Sequence, residues 1–241
     1  MHILGIKVNS VTIKEIKNIL LEFAAGSRIR TVFYLNAHCV NLACMDNEYK
    51  AILNKADLVH ADGYGVVWAS RFLGEALPER VNIMDFFDEF AKELIDRKIS
   101  VYLLGGTPDV VKKAGEILLN AGLNIVGYKD GFFKETEELK ILKEINALHP
   151  DILMVGMGSP KQEKWVFSHI EELDTNLCWA VGSTFELITG DRKRTPKWMS
   201  MHGLEWFYRL CQQPKRLCKR YIYGSLVFIC RIFRYKFKKK S

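Results

Sequence analysis

Residues 100–109 read Ser-Val-Tyr-Leu-Leu-Gly-Gly-Thr-Pro-Asp, a short apolar run that ends in a glycine turn just before an amphipathic segment. The same succession of apolar run, turn and longer amphipathic segment repeats through most of the chain. This rhythm is typical of a parallel sheet covered by helices. The sequence therefore predicts an α/β fold, a Rossmann-like layered domain with a mainly parallel sheet.

The positions of the apolar runs predict the individual elements. Several predicted strands end in loops of Gly, Ser, Thr, Pro or Asp that open a helix, and ligands of open α/β sheets bind at this edge, outside the carboxyl ends of the strands. The predicted strands are Ile3–Val8, Thr31–Leu35, Leu58–His60, Ser100–Leu104, Asn124–Tyr128, Ile152–Val155 and Leu177–Ala180. Helical patterns lie between them at 11–23, 39–54, 64–72, 84–97, 109–121, 135–147 and 160–171.

Charge is divided unevenly along the 241 residues. The net charge of +7 splits into −7 over residues 1–191 and +14 over residues 192–241, where Glu205 is the only acidic residue. Such an asymmetry points to a polyanionic partner, either nucleic acid or an anionic membrane face.

The cysteines and the N-terminus bear on metal binding and location. The six cysteines include no C-x-x-C pair and show no ligand spacing with histidine, which argues against structural zinc and against a redox dithiol. The N-terminus lacks the pattern of a signal peptide. We therefore expect a cytoplasmic protein with reduced thiols.

The composition changes at Thr195, and we divide the chain into a body, residues 1–195, and a basic appendage, residues 196–241. Over 203–221 apolar and aromatic residues are interleaved with Arg and Lys, and over 222–237 apolar residues recur at helical spacing. Basic amphipathic helices of this kind bind anionic lipid surfaces. The longest apolar run is about half of the roughly 20 residues that a spanning helix needs. The appendage is thus expected to lie on a membrane surface, with packing on the body as the alternative.

The turn Gly105-Gly106 is a candidate site for phosphate. Glycines let the backbone approach a ligand closely, and the free amides at the start of a helix favour an anion. The turn does not match the G-x-G-x-x-G spacing of dinucleotide-binding proteins, and many α/β proteins have such a turn without a ligand. The missing fingerprint argues against a nicotinamide-dependent dehydrogenase, and the absence of a G-x-x-x-x-G-K-[ST] motif argues against a P-loop enzyme.

Asp62 follows a predicted strand and precedes Gly63, so its carboxylate is expected at the ligand-binding edge of the sheet. A carboxylate placed there can act as a general base, bind a metal ion or cap the following helix. Position alone favours the cap. No H-x-x-x-H or H-E-x-x-H pattern occurs, so a histidine metal site is not expected.

Many short motifs occur in an order that resembles the WecG/TagA/CpsF family, glycosyltransferase family 26, over nearly all of the chain. They are Leu35-Asn36-Ala37-His38, Asp57 to Gly63, Pro78-Glu79-Arg80-Val81, Leu103-Leu104-Gly105-Gly106, Gly127-Tyr128 with Gly131-Phe132-Phe133, Gly158-Ser159-Pro160-Lys161-Gln162-Glu163, Val181-Gly182-Ser183-Thr184-Phe185-Glu186, Arg194-Thr195-Pro196, Gly203-Leu204-Glu205-Trp206-Phe207-Tyr208-Arg209 and Pro214-Lys215-Arg216.

The resemblance implies an inverting transferase that needs neither a metal nor a cofactor. Such enzymes move a sugar, often N-acetylmannosamine or its uronic acid, from a UDP donor to a sugar on a polyprenyl diphosphate. They work on the cytoplasmic face of a bacterial membrane during cell-surface polysaccharide synthesis, and some associate with copies of themselves.

The resemblance also implies roles for particular residues. The family's catalytic base falls on Asp62, which changes the interpretation of that residue from a cap to a base, and Arg80 falls on another active-site position. Asn36 and Gln162 fall on substrate-binding positions, and Gly105 and Gly106 on the candidate phosphate turn. The appendage is expected to close over the active site and to bring cations to the substrate diphosphate, namely Arg209, Arg216, Lys219 and Arg220.

The chain departs from the family's pattern at three places that are expected to line the pocket. Tyr34 stands where a threonine is common, residues 82–85 lack the usual glycine, and the turn that ends in Phe185-Glu186 commonly ends in Phe-Asp. These departures bear on which donor and acceptor sugars the pocket accepts.

Two alternatives from other classes are a UDP-sugar-binding sensor without catalysis and a nucleic-acid-binding module that uses the basic appendage.

Overall fold

The computed structural model of the protein describes residues 1–238, apart from the side chains of Lys197, Met201, Arg216, Lys219 and Arg220. The N-terminus forms a small antiparallel hairpin of β1 (His2–Ile3) and β2 (Ile6–Lys7). The prediction of one continuous strand over Ile3–Val8 is therefore wrong. The chain reverses there because Leu4 and Gly5 both have positive φ angles, 53° and 77°.

The main sheet has six parallel strands in the order β4-β3-β8-β7-β5-β6, which confirms the predicted fold class. Each strand agrees with its prediction to within one residue at either end. The strands are β3 (Arg30–Leu35), β4 (Leu58–Ala61), β5 (Ser100–Gly105), β6 (Asn124–Lys129), β7 (Ile152–Gly156) and β8 (Leu177–Ala180).

The helices of the body cover both faces of this sheet. The helix predicted over 39–54 is two helices, because Asp46 interrupts it and accepts a capping hydrogen bond from the Tyr49 amide at 2.9 Å. The helices are α1 (Ile13–Ala24), α2 (Ala37–Ala43), α3 (Asn47–Lys55), α4 (Tyr64–Leu73), α5 (Ile83–Asp96), α6 (Pro108–Asn120), α7 (Glu135–Leu148), α8 (Lys161–Ser168) and α9 (Thr184–Ile188).

Alternate side chains of the strands enter two separate cores. Phe33 and Leu35 of β3 lie in the first core, whereas Val32 lies in the second. In the second core Phe90 and Trp179 meet edge to face, with ring centroids 5.5 Å apart. Burial on both faces explains why the strands read as continuous apolar runs. Each large buried side chain contributes about 1.5–3 kcal/mol.

A crevice forms at the carboxyl ends of β3 and β8, which are neighbours in the sheet. Helix α2, which follows β3, packs in the first core, whereas α9, which follows β8, places Phe185 in the second. The two connecting loops therefore diverge to opposite faces of the sheet. Ligands of open α/β sheets bind at such a reversal.

The appendage is helical and packs on the body beside this crevice. It consists of α10 (Lys197–Met201), α11 (Glu205–Gln212), α12 (Pro214–Cys218), a π-helical turn (Lys219–Tyr223) and α13 (Gly224–Lys238). Helix α13 lies against α2 and α4, with Phe228 and Ile232 buried in the first core. The Arg231 guanidinium also donates to the backbone and side-chain oxygens of Asn41, at 3.0 and 2.8 Å. Over residues 1–238, no helix combines the length and apolar character needed to cross a membrane.

Candidate functional site

Asp62 lies one residue beyond β4, at the crevice. Its amide donates to the Leu35 carbonyl at 2.9 Å, and its Oδ1 accepts from Asn82 Nδ2 at 2.8 Å. The N-cap of α4 is Gly63, and no side chain caps this helix. The interpretation of Asp62 as a helix cap is therefore wrong, and its carboxylate is directed to the site.

Two cavities meet at Asp62. The polar cleft, of about 400 Å³, lies over the ends of β3, β7 and β8 and is lined by Asn82, Ser159, Ser183, Glu186, Arg192 and Gln212, among others. The apolar cavity, of about 800 Å³, lies between α4 and the appendage and is lined by Tyr64, Trp68, Trp206, Ile222, Phe228 and Ile229, among others. Asn36, His38, Asp62, Arg209 and Tyr221 line both.

The environment of Asp62 raises its pKa to about 7. Burial is the main cause, and the nearby Glu205 carboxylate adds to it, while Arg209, Arg80 and the Asn82 hydrogen bond oppose it. A carboxyl with a pKa near neutrality can accept a proton during a reaction and release it afterwards.

Arg80 is buried, with 8% of its surface exposed, and its guanidinium donates three hydrogen bonds. It donates to Glu205 Oε2 at 2.6 Å, to the Ser200 hydroxyl at 3.0 Å and, at short range, to Asp85. Glu79 instead accepts from the Ile13 amide at 2.7 Å. Arg80 thus joins the body to the appendage through Glu205.

Asn36 caps α2, since its Oδ1 accepts from the amides of His38 and Cys39 at 3.0 and 3.1 Å. Its side chain borders both cavities next to Asp62. The structure therefore places Asn36 at the site, where its orientation is fixed by the helix that it caps.

The Gly105-Gly106 turn lines neither cavity. A Cβ on Gly105, whose φ is 138°, would lie 2.4 Å from the Gly156 carbonyl oxygen. The Gly106 amide donates to that same carbonyl at 3.1 Å. Close packing against the end of β7 accounts for Gly105, and the positive φ of 68° accounts for Gly106.

Gln162 is completely buried and likewise lines neither cavity. Its Oε1 accepts from the amides of Gly158 and Gly182, at 3.1 and 3.2 Å. Its Nε2 donates to Oε1 of the buried Glu163 at 2.9 Å. Because Gly158 and Gly182 belong to two loops that line the polar cleft, Gln162 clamps those loops together.

Replacing Gln162 by leucine is expected to destabilise the protein, because two backbone amides lose their acceptor. An unsatisfied buried donor costs about 1–3 kcal/mol, so the free energy of unfolding should fall by about 2–4 kcal/mol. Chemical denaturation measures this change, with Glu171→Ala, at an exposed position after α8, as the control. An unfolding free energy within about 0.5 kcal/mol of the parent value would contradict the clamp.

Arg192 and Gln212 are site residues that sequence reasoning missed. Arg192 reaches the polar cleft and donates a short hydrogen bond to the Ser183 hydroxyl. In the sequence it begins the basic run 192–194, and its charge is counted within the +14 of residues 192–241. The side chains of the predicted site residues Arg216, Lys219 and Arg220 lie outside what the structure describes.

Within the described part of the chain, no group of three or more His, Cys, Asp or Glu side chains is arranged to hold a metal ion. The charged groups around Asp62, where the two cavities meet, are instead Glu205 and the guanidinium groups of Arg80 and Arg209. The site therefore combines one carboxyl of raised pKa with cations from both parts of the chain.

Comparison with known proteins relates the chain to a family of enzymes. The model of the family "Glycosyl transferase WecG/TagA/CpsF family" matches residues 1–241. Similar curated proteins occur in Staphylococcus aureus strains MW2, NCTC 8325 and MRSA252. Each is 31% identical over 241 residues, which cover 99% of this chain and 92% of the relative. Each is named N-acetylglucosaminyldiphosphoundecaprenol N-acetyl-beta-D-mannosaminyltransferase.

Proposed function

We propose, because this chain belongs to the WecG/TagA/CpsF family of glycosyltransferases, that it moves an N-acetylmannosamine-type sugar from a UDP donor to N-acetylglucosamine on a polyprenyl diphosphate. The transfer inverts the anomeric configuration and requires no metal ion. The relatives' names support the acceptor and the sugar, and the two cavities support the arrangement of the substrates.

The observation that carries the proposal is the position of Asp62 between a polar cleft and an apolar cavity. The cleft suits the nucleotide and its sugar, and the cavity suits a lipid-linked acceptor. Asp62 takes the proton from the acceptor hydroxyl while that oxygen attacks the anomeric carbon. The bond from this carbon to the UDP oxygen breaks, and the guanidinium groups beside the cleft stabilise the departing diphosphate.

The outer surface of the appendage supports binding to an anionic membrane. Large apolar side chains are exposed on it, with Tyr223 at 65% and Phe237 at 64%, and the cations Arg234 and Lys238 near the end of α13 are exposed as well. An apolar face flanked by lysine and arginine inserts into the interface between headgroups and acyl chains. The protein would then sit peripherally on the inner face of the cell membrane, where a polyprenyl-linked acceptor is held.

The raised pKa of Asp62 predicts a pH dependence of catalysis. A base works only when ionised, and the folded protein holds this pKa at about 7. The value of kcat/KM should therefore fall about tenfold per pH unit below neutrality and level off above it. Initial rates between about pH 5 and pH 8 check this, and a flat profile below pH 7 would contradict it.

The direct test is transfer from a panel of UDP-sugars to a synthetic lipid-diphosphate-N-acetylglucosamine, with vesicles or detergent, in the presence and absence of EDTA. We expect turnover with a UDP-mannosamine derivative that EDTA does not change. UDP-sugar binding without turnover of any donor would identify a sensor, and tighter binding of the appendage to DNA than to anionic vesicles at matched salt would indicate a nucleic-acid partner.

A further inference from the structure

A hydrogen-bonded group of side chains centred on Ser159 forms one wall of the polar cleft. Ser159 lies between β7 and α8 and borders the cleft, as do Tyr34 of β3 and Cys39 of α2. The Ser159 hydroxyl lies 2.7 Å from Glu163 Oε1 and 3.3 Å from the Tyr34 hydroxyl. The Cys39 thiol donates to the same hydroxyl at 3.7 Å. Glu163 is completely buried, so the group extends from the protein interior to the surface of the cleft.

The directions of these hydrogen bonds follow from the backbone outwards. Because Gln162 Oε1 accepts from two backbone amides, Gln162 Nε2 is the atom that donates to Glu163 Oε1, at 2.9 Å. Glu163 Oε1 is therefore an acceptor, and Ser159 gives its single proton to this oxygen, the nearer of its two oxygen partners. Two hydroxyl groups can share a hydrogen bond in either direction, so in the 3.3 Å contact the Tyr34 hydroxyl is the donor and Ser159 the acceptor.

The Tyr34 hydroxyl consequently offers the cleft an acceptor. Burial raises the pKa of Tyr34, and Cys39 and Glu163 add to this effect, so the phenol keeps its proton near neutral pH and commits it to Ser159. The same oxygen is packed close to Gly182, just beyond β8, where a Cβ would lie 2.7 Å from it. Its lone pairs suit a ligand group that donates a hydrogen bond.

The charges that act on the Tyr34 hydroxyl favour the same kind of ligand group. They include the carboxyl groups of Glu163 and Asp62. Asp62 is the proposed base, so Tyr34 borders the part of the cleft where the transferred sugar would lie. This part of the cleft therefore suits N–H and O–H groups of a sugar, whereas a carboxylate, which only accepts hydrogen bonds, would meet acceptors of like charge.

The cations around this part of the cleft are engaged by other groups. Lys161 borders the cleft, but its ammonium group donates to a backbone carbonyl at 2.8 Å. Arg80 and Arg209, which act on Asp62, both pair with Glu205. A sugar carboxylate beside Tyr34 would have to compete with these partners for a counter-charge.

We propose that Tyr34 selects the donor sugar: its oxygen accepts a hydrogen bond from a hydroxyl or acetamido N–H of the transferred sugar, and a sugar carboxylate is rejected. The inference rests on the proposed function and sharpens it, because it favours UDP-N-acetylmannosamine over the corresponding uronic acid. Ser159 is a positioning residue, since it directs the Tyr34 proton away from the ligand.

The test measures kcat/KM for UDP-N-acetylmannosamine and for its uronic acid, and the affinities of both and of UDP by calorimetry. The parent protein should favour the neutral sugar about 10- to 100-fold in kcat/KM and in affinity, the scale of a hydrogen bond exchanged for an unpaired charge. Tyr34→Phe should reduce this preference about 5- to 10-fold and bind UDP as the parent does. Tyr128→Phe is the matched control, because Tyr128 lies on β6 and lines neither cavity, and it should keep the parent preference.

Ser159→Ala distinguishes selection from a local folding defect. Without the Ser159 oxygen the Tyr34 proton is released to the ligand, so the uronic acid should gain about fivefold relative to the neutral sugar in kcat/KM and in affinity. A purely structural defect would instead lower the values for both donors by the same factor.

The outcomes separate this inference from the proposed function. If the parent binds the neutral donor with a preference that depends on Tyr34 but transfers neither sugar, the selection stands and the proposed transfer fails. If the parent transfers both sugars equally well or prefers the uronic acid, or if Tyr34→Phe and Ser159→Ala keep the parent preference, the transfer stands and selection by Tyr34 is overturned. A parent protein that binds neither sugar nucleotide would overturn both.

Discussion

Asp62→Asn is expected to lower the rate of sugar transfer about 100- to 10,000-fold, the contribution typical of a general base. The asparagine has the size of the carboxylate and can keep a hydrogen bond to Asn82, but it cannot accept the proton of the acceptor hydroxyl. UDP affinity should be retained, because the guanidinium groups beside the polar cleft, rather than Asp62, are proposed to hold the diphosphate. Steady-state transfer assays and calorimetry with UDP measure the two quantities separately.

Asp191→Asn provides the matched control for this variant. Asp191 also borders the polar cleft, but it is exposed and pairs with Lys113 at 3.0 Å. Its replacement should change the transfer rate less than about twofold, since exposed ion pairs contribute little. Near-parent turnover in Asp62→Asn would show that Asp62 is not the base.

Glu205→Arg is expected to lower transfer about 100-fold or more by undocking the appendage. Glu205 pairs with Arg80 and Arg209, and its side chain is 19% exposed against 6% for that of Arg80. Breaking a buried pair and leaving one charge uncompensated costs about 3–5 kcal/mol. Because Arg209, which borders the polar cleft, lies on the same helix as Glu205, the variant should also lose UDP affinity.

Two measurements check this second prediction together: transfer activity and the rate of trypsin cleavage within the appendage, which should rise as docking weakens. Glu171→Arg adds the same charge at an exposed position of the body and should leave both unchanged. If Glu205→Arg stays protease-resistant and active, the Arg80–Glu205 pair does not dock the appendage.

The sheet was predictable because its strands are buried on both faces and stand out as apolar runs such as Ile152–Val155. The N-terminal hairpin was not, because its reversal at Leu4-Gly5 lies inside an apolar run and depends on backbone conformation. Asp62 was placed correctly at the edge of the sheet from its position after a strand. Its raised pKa could not be predicted, because both its burial, the main cause, and the nearby Glu205 carboxylate, which is distant in sequence, arise only from tertiary packing.

For other candidate site residues, the local sequence pattern does not predict the surroundings that the fold gives them. The Gly105-Gly106 turn has the composition of a phosphate loop, but Gly105 is required by the approach of Gly156, about 50 residues away, which only the strand pairing reveals. Gln162 was predicted at a substrate-binding position, but it is buried and its contacts are to the backbone amides of Gly158 and Gly182. Arg192 could not be told apart from its basic neighbours Lys193 and Arg194 by sequence alone. In each case the deciding contact is tertiary.

The most direct test of the arrangement proposed for Asp62 is a crystal structure of Asp62→Asn with a UDP-sugar and a short-chain lipid-diphosphate acceptor bound. We predict the donor in the polar cleft, the lipid in the apolar cavity and the attacking acceptor hydroxyl about 2.6–3.2 Å from the side chain of residue 62. A donor bound in the apolar cavity, or an acceptor hydroxyl that points away from residue 62, would contradict it.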